Sequence, residues 1–279
     1  MMIHAPFLAR IAALPLAVLF LAATAAAQQS VVDRYPDIAA AYAVAVDGKL
    51  QWAGKIDTPR QPASLAKLLT ALVLLENGWD PEASVTVSAA AAGVEGSRVG
   101  LRRGEQLRAA DLLTGMLVRS GNDACLALAE HAAGSVAAFV KLMNQHAARL
   151  GMKNSNFVNP CGLDATGQRT TAGDLLLLAE AARGVQEIRR RVAMESAVIK
   201  TSAGRELRFN NTNALIGRVP EVTGLKSGYT SGAGNCVIAL GERGGHYAMV
   251  ILLGATDRWW EASGLIAQAL GPIAPPTGK

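Results

Sequence analysis

Two apolar runs near the end of the chain, residues 236–240 and 247–253, are joined by the short glycine-bearing stretch that starts with 241–245. A connection that short forces the two runs to lie antiparallel, because a parallel pair needs a crossover of a dozen residues or more. Residues 222–229 read as a further strand just before them. At the other end of the chain, 41–46 and 50–53 flank Asp47-Gly48, a strong hairpin signal. Residues 197–201 and 206–209 read as strands around Ala203-Gly204. Helical periods fill the middle: 109–118, 123–133, 136–150 with Ser135 as N-cap, 171–182 capped by Thr170 or Thr171, and 185–194. A helix opening at Ser64 runs to about Asn77, with Gly78 as its stop, and a last helix covers about 259–270. Residues 84–108 mix a strand-like alternation with turn glycines, and 154–167 form a loop rich in Asn, Pro and Gly. Strands at both ends and helices between them predict a mixed α/β fold. Its core is a central antiparallel sheet flanked by helices, with a helical lobe inserted between the first and later strands.

The chain has 279 residues, 51% apolar and 18% charged, enough for one large domain with a sizeable core. The net charge of +5 comes from scattered basic residues without a nucleic-acid reader motif, which sets nucleic acid aside as a partner. The run Arg189-Arg190-Arg191 reads as the solvated face of a helix. Residues 1–27 read as a cleaved secretory signal peptide: Arg10 supplies the positive start, 11–23 the apolar stretch, and Ala25-Ala26-Ala27 the small-residue site. Residues 28–36 are then a linker, 37–271 one catalytic domain and 272–279 a flexible tail. The expected product is an exported, periplasmic protein with no stable membrane anchor after cleavage. Cys125, Cys161 and Cys236 each sit among apolar or small neighbours and read first as buried thiols; an odd count leaves at least one without an internal partner.

The chemistry gathers at Pro62-Ala63-Ser64-Leu65-Ala66-Lys67. Residues at i and i+3 share one helix face, so Ser64 and Lys67 can meet without help from another element. Ser64 lies at a helix start, where free N–H groups and the positive end of the helix dipole gather. Lys67 lies among leucines, and desolvation lowers a lysine pKa until the neutral amine can take a proton. A serine with a lysine at this spacing is a weak signal alone, since N-capping and a surface lysine explain it as well. Two further polar triplets strengthen it: Ser120-Gly121-Asn122 in a tight loop between helices, and Lys226-Ser227-Gly228 on a strand, where Gly228 leaves room for close backbone approach.

With these three elements in this order, the chain resembles the serine penicillin-recognising enzymes, whose signature is SxxK, SxN and KTG or KSG. Within them it is most similar to the low-molecular-mass penicillin-binding proteins, the D-alanyl-D-alanine carboxypeptidase and endopeptidase family. The strings Ala63-Ser64-Leu65-Ala66-Lys67, Ser120-Gly121-Asn122-Asp123-Ala124, Gly162-Leu163-Asp164 and Gly224-Leu225-Lys226-Ser227-Gly228-Tyr229-Thr230 carry the likeness. The resemblance covers about 35–270 and implies a β-lactamase/transpeptidase-like fold. It also implies roles. Ser64 is the nucleophile that forms an acyl-ester with peptidoglycan stem peptides, Lys67 the proton acceptor, and Ser120 a relay toward the leaving amine. Asn122 holds the substrate amide, Lys226 adds positive charge, and Ser227 and Arg258 hold the terminal carboxylate. The N–H groups of Ser64 and Tyr229 form an oxyanion hole, with Gly228 beside them. β-Lactams are then covalent inhibitors, and neither metal nor cofactor is required.

The resemblance leaves the reaction open between a carboxypeptidase trimming terminal D-Ala and an endopeptidase cutting cross-links. A β-lactamase is a third reading, weakened because residues 153–200 hold no Glu-x-x-Leu-Asn string to activate a deacylating water. A non-enzymatic binding module is a fourth. A metallopeptidase lacks its ligands, because His131, His146 and His246 share no HExxH spacing.

Overall fold

The computed structural model describes residues 31–271. The expected signal peptide and tail lie outside the described residues. Strand β1 (Ala39–Val46) turns through Asp47 and Gly48, both at positive φ, into β2 (Lys49–Gly54). The chain returns to this sheet only after the helical lobe, through β7 (Val222–Thr230), β8 (Gly234–Arg243) and β9 (His246–Ala255); β3 to β6, met on the way, lie in small hairpins. The order is β2-β1-β9-β8-β7, antiparallel throughout. The turn between β8 and β9 is shorter than expected: Gly241 to Arg243 stay in the strand, and Gly244-Gly245, both at positive φ, make the bend.

Side chains alternate across the sheet with the period of two that strands impose. Tyr42, Val44, Val237, Ala239, Val250 and Leu252 pack on one face against Ala262, Leu265 and Ile266 of the last helix, α8 (Arg258–Leu270). Ala41, Ala43, Ala45, Ile238, Leu240, Met249, Ile251 and Leu253 face the lobe. Residues 31–36, read from sequence as linker, dock on the hairpin: Val32 bridges to Trp52, Asp33 accepts from the Tyr42 hydroxyl, and Tyr35 packs edge-on to Trp52.

The lobe is built around α1 (Ala66–Glu76), whose residues 66–74 are all buried. A helix apolar on every side belongs in a core, and α1 packs against α3 (Ala109–Val118), α4 (Asn122–Ala133), α5 (Val136–Arg149) and α6 (Ala172–Gly184). Ser135 and Thr171 cap α5 and α6 through their side-chain oxygens, as their positions suggested. A five-residue helix, α2 (Ala89–Gly93), was not visible among the turn glycines of 84–108, where β3 (Ser84–Thr86) pairs with β4 (Gln106–Arg108). Helix α7 (Gln186–Val192) corrects the reading of the arginine run. Arg189 and Arg190 are exposed, but Arg191 is buried, donating to Thr114 Oγ1 at 3.1 Å and pairing with Glu187. β5 (Ser196–Lys200) and β6 (Glu206–Asn210) close a separate hairpin. Among the described residues no single helix is long and apolar enough to cross a membrane.

The cysteines differ from the first reading. Cys125 and Cys161 are joined as a disulfide, while Cys236 remains a buried thiol. Burial pushes the Cys236 thiol up to about 11.

Candidate active site

A single 3₁₀ turn, Ala63–Leu65, carries Ser64 into α1. Ala63 holds a positive φ of 48°, unusual for a residue with a side chain. Two glycines press on this turn. A Cβ at Gly162 would run into the Ala63 carbonyl, and one at Gly228 would lie 2.7 Å from the Ser64 nitrogen and 2.8 Å from Ala63 Cβ. Strand β7 therefore lies directly against the Ser64 backbone only because position 228 has no side chain.

Lys67 follows one helical turn after Ser64 and is fully buried. Its Nζ lies 2.9 Å from Ser64 Oγ, 2.7 Å from Asn122 Oδ1 and 2.6 Å from the Cys161 carbonyl. Burial, and then the nearby charge of Lys226, push its pKa well below the ordinary lysine value; Asp123 pulls the other way. A neutral amine has two N–H donors and one lone pair. Asn122 Oδ1 and the Cys161 carbonyl can accept only, so they take the donors, and the lone pair is left for the Ser64 hydroxyl.

Ser120 sits in the tight loop between α3 and α4, at a φ of 60°, which turns its hydroxyl toward β7. Lys226 Nζ donates to Ser120 Oγ at 2.8 Å and to the Ser227 carbonyl at 3.0 Å. Lys226 is buried, and its pKa is pushed down to about 7 by burial and then by the Arg258 guanidinium. Asn122 is tied at both ends, its Nδ2 donating to the Glu95 carbonyl at 2.6 Å. It is part of the cradle around Lys67, and the structure places it behind the cleft surface rather than on it. Arg258, the first residue of α8, stacks on Trp259 and donates to the Gly228 carbonyl at 2.6 Å and to Asn235 Oδ1 at 3.2 Å.

These groups meet at a cleft of about 630 Å³ lined by Ser64, Ser120, Ser227, Gly228, Tyr229 and Arg258. Gly96, Ser97, Arg119 and Thr212 complete the wall and were not anticipated. Thr212 Oγ1 accepts from Ser227 Oγ at 3.3 Å. Nothing in the polar run around position 212 sets that threonine apart from an ordinary turn. Gly96 was read only as a turn; its lack of a Cβ also lets the loop close on Asn122. The role of Asp123 was also missed: its buried carboxylate accepts from the backbone N–H groups of Val99, Gly100 and Leu101 and so ties that loop to the start of α4. Asp164, from the matching Gly162-Leu163-Asp164 string, accepts from Thr230 Oγ1 at 2.6 Å and Gly232 N at 2.8 Å, joining the loop below the site to the end of β7. Among the described residues no three His, Cys, Asp or Glu side chains gather as a metal ion would require. His146 is a buried helix residue paired with Glu76, and His131 is exposed.

Comparison with known proteins gives the family and the fold. The profile of the D-alanyl-D-alanine carboxypeptidase family matches residues 25–257. The chain is 34% identical over 199 residues to the D-alanyl-D-alanine carboxypeptidase DacF of Bacillus subtilis, covering 70% of this chain and 51% of that protein. It is 37% identical over 223 residues to DacC of Escherichia coli, covering 76% and 55%. The chain thus spans little more than half the length of these two relatives. Against DacB2 of Mycobacterium tuberculosis it is 33% identical, with 76% of each chain covered. The crystal structure of the Streptomyces K15 DD-transpeptidase superposes with a TM-score of 0.80 at 25% identity, covering 86% of this chain and 99% of that one. That match bears out the expected transpeptidase-like fold. With the signature residues converging on one cleft and the family profile spanning most of the sequence, the chain belongs to the D-alanyl-D-alanine carboxypeptidase family.

Proposed function

We propose that the protein is a serine D-alanyl-D-alanine carboxypeptidase that removes the terminal D-Ala of peptidoglycan stem peptides through an acyl-enzyme on Ser64. The observation that carries this reading is the buried Nζ of Lys67, which lies 2.7 Å and 2.6 Å from two carbonyl oxygens and 2.9 Å from Ser64 Oγ, so that in its neutral form the lone pair left over is the one available to the serine hydroxyl. In this reading the Ser64 hydroxyl gives its proton to Lys67 as the oxygen attacks the carbonyl between the two D-alanines. The tetrahedral oxyanion is held by the N–H groups of Ser64 and Tyr229, and one such donor is worth about 3 kcal/mol of barrier. The proton that Lys67 took reaches the leaving amine by way of the Ser120 hydroxyl, which gives up one proton and takes back the other while hydrogen-bonded to Lys226, and Ser227 and Arg258 receive the substrate's carboxylate. Asn122, with both ends of its amide engaged, serves in this reading by holding Lys67 Nζ rather than by meeting the substrate. Water then cleaves the ester. No carboxylate lines the cleft among the described residues, which favours slow release of a β-lactam adduct over β-lactamase turnover. The same reading places the protein outside the cytoplasm, exported by residues 1–27.

A second reading keeps the acyl-enzyme and changes the donor: an endopeptidase would accept cross-linked stem peptides. Tyr229 lines the cleft and is 64% exposed, so the wall there is open to solvent and to a larger substrate. The test is labelling by a fluorescent penicillin with wild type and Ser64→Ala, together with mass analysis of products from monomeric pentapeptide and cross-linked dimer. Label on wild type, none on a folded Ser64→Ala, and free D-Ala from the monomer support the carboxypeptidase. Cleavage of the dimer alone would replace it with the endopeptidase, and label surviving in Ser64→Ala would remove both.

A further inference from the structure

The two acceptors that hold Lys67 belong to separate segments. Asn122 opens α4, and Cys161 lies in the loop between α5 and α6. Cys125 stands on α4 one turn beyond Asn122, and it is bonded to the side chain of Cys161. The residue whose carbonyl accepts from Lys67 is therefore covalently tied to the helix whose first residue supplies the other acceptor. The neighbouring Gly162 packs on the Ala63 carbonyl, so the same loop also fixes the turn that carries Ser64.

We propose that the Cys125–Cys161 disulfide is a positioning element for the nucleophile–lysine pair, setting the spacing between Asn122 Oδ1 and the Cys161 carbonyl and through them the aim of Lys67 Nζ at Ser64. This rests on the function proposed above. Other contacts hold the loop in place: Thr70 Oγ1 donates to the Pro160 carbonyl at 2.6 Å, and Asn159 Oδ1 accepts from the backbone N–H groups of Gly162 and Leu163. These hold the loop to α1 and to itself, whereas the disulfide links it covalently to α4. Both sulfurs are buried, Cys125 at 0% and Cys161 at 1% exposure, so the link is set during folding rather than exchanged at the surface. The charged groups facing Lys67 are Lys226 on β7, which opposes its protonation, and Asp123 on α4, which favours it. If α4 separates from the loop, water enters beside Lys67, and desolvation, the main cause of its low basicity, is relieved.

The test compares the oxidised wild-type chain with the same chain produced as the dithiol, which differs by two hydrogens at the two sulfurs, and with Cys125→Ala/Cys161→Ala. Two readouts are taken: the rate of labelling by fluorescent penicillin against pH, and amide hydrogen exchange across residues 120–126 and 159–164. The expected result is a native circular dichroism spectrum, labelling slowed about tenfold, as small misplacements at reacting groups cause, an acid limb moved to higher pH, and faster exchange confined to those two segments. Unchanged rate, pH profile and exchange in the dithiol would overturn the proposal. So would loss of the native spectrum together with the rate, which would make the bond a staple of the fold alone. If the oxidised wild type takes no label at all, the proposed function fails instead, and the exchange readout still decides whether the bond positions these segments.

Discussion

At the scale of the residue, the site depends on two lysines that are both buried and both pushed below the ordinary ammonium range. Lys226 lowers the pKa of Lys67 by charge repulsion, and Arg258 lowers that of Lys226. The sign of a substitution follows directly. At and below about pH 7, where Lys226 still carries charge, Lys226→Gln removes a positive charge facing Lys67, so the proton affinity of Lys67 rises and more of it is protonated. The acid limb of the acylation profile should move to higher pH, and the rate near pH 7 should fall tenfold or more, about 1.4 kcal/mol of barrier. Stopped-flow acylation by a chromogenic cephalosporin between pH 5 and pH 10 checks this; an acid limb that stays put, or moves down, would show that Lys67 does not feel Lys226. The three motifs were legible as sequence because a serine–lysine pair on one helix turn is a local fact. The cradle around Lys67 was not legible, because one acceptor is a backbone carbonyl, and any residue at position 161 carries one. The disulfide was hidden for a related reason: three cysteines allow several pairings, and only the fold brings 125 and 161 together.

At the scale of the element, the decisive contact is β7 against the 3₁₀ turn that carries Ser64. Gly228 and Gly162 approach that turn from two sides, but they differ in conformation. Gly162 sits at a φ of 81°, where a side chain is strained as well as crowded, whereas Gly228 is not in the left-handed region. Gly228→Ala should therefore push β7 away from Ser64 with a stability cost of about 1–3 kcal/mol, and slow acylation at least tenfold. Gly162→Ala meets backbone atoms in a strained conformation and should cost more stability than Gly228→Ala. Urea unfolding and labelling rates on the two variants measure both effects, and a Gly228→Ala protein that acylates at the wild-type rate would show that β7 can shift freely. Strand and helix positions were largely readable because hairpins and caps are written in short stretches: Asp47-Gly48, Ser135 and Thr171 all do in the structure what their local chemistry requires. Helix α2 was missed because its alanines sit between glycines that signal turns. The length of β8 was missed because Gly241 looks like a turn residue, yet in the strand it faces Ile266 of α8.

At the scale of the whole molecule, the sheet divides two cores, and the site lies where the lobe meets the edge strand β7. Holding two amines there has a consequence for the stability of the entire fold. In the unfolded chain a lysine keeps its proton to about pH 10.4. In the folded protein Lys226 gives it up at about 7. Between those limits the unfolded state binds the extra proton, so stability rises with pH, by at most about 1.4 kcal/mol per unit for one such lysine. Below about pH 7 both states are protonated and the pH-dependent gain is gone. Cys236 acts in the opposite direction higher up: its folded thiol is held to about 11, so the unfolded state loses that proton first, and stability falls above the ordinary thiol range. The two effects separate in a difference measurement. The melting temperature of wild type minus that of Lys226→Met should become more positive between pH 7 and pH 9, since only the wild type carries the lysine, while Cys236 is common to both and cancels. Calorimetry at fixed ionic strength supplies the difference, and a flat or falling curve would mean that Lys226 keeps its charge in the folded protein, so that the cleft holds a full ammonium beside Ser120 throughout the neutral range.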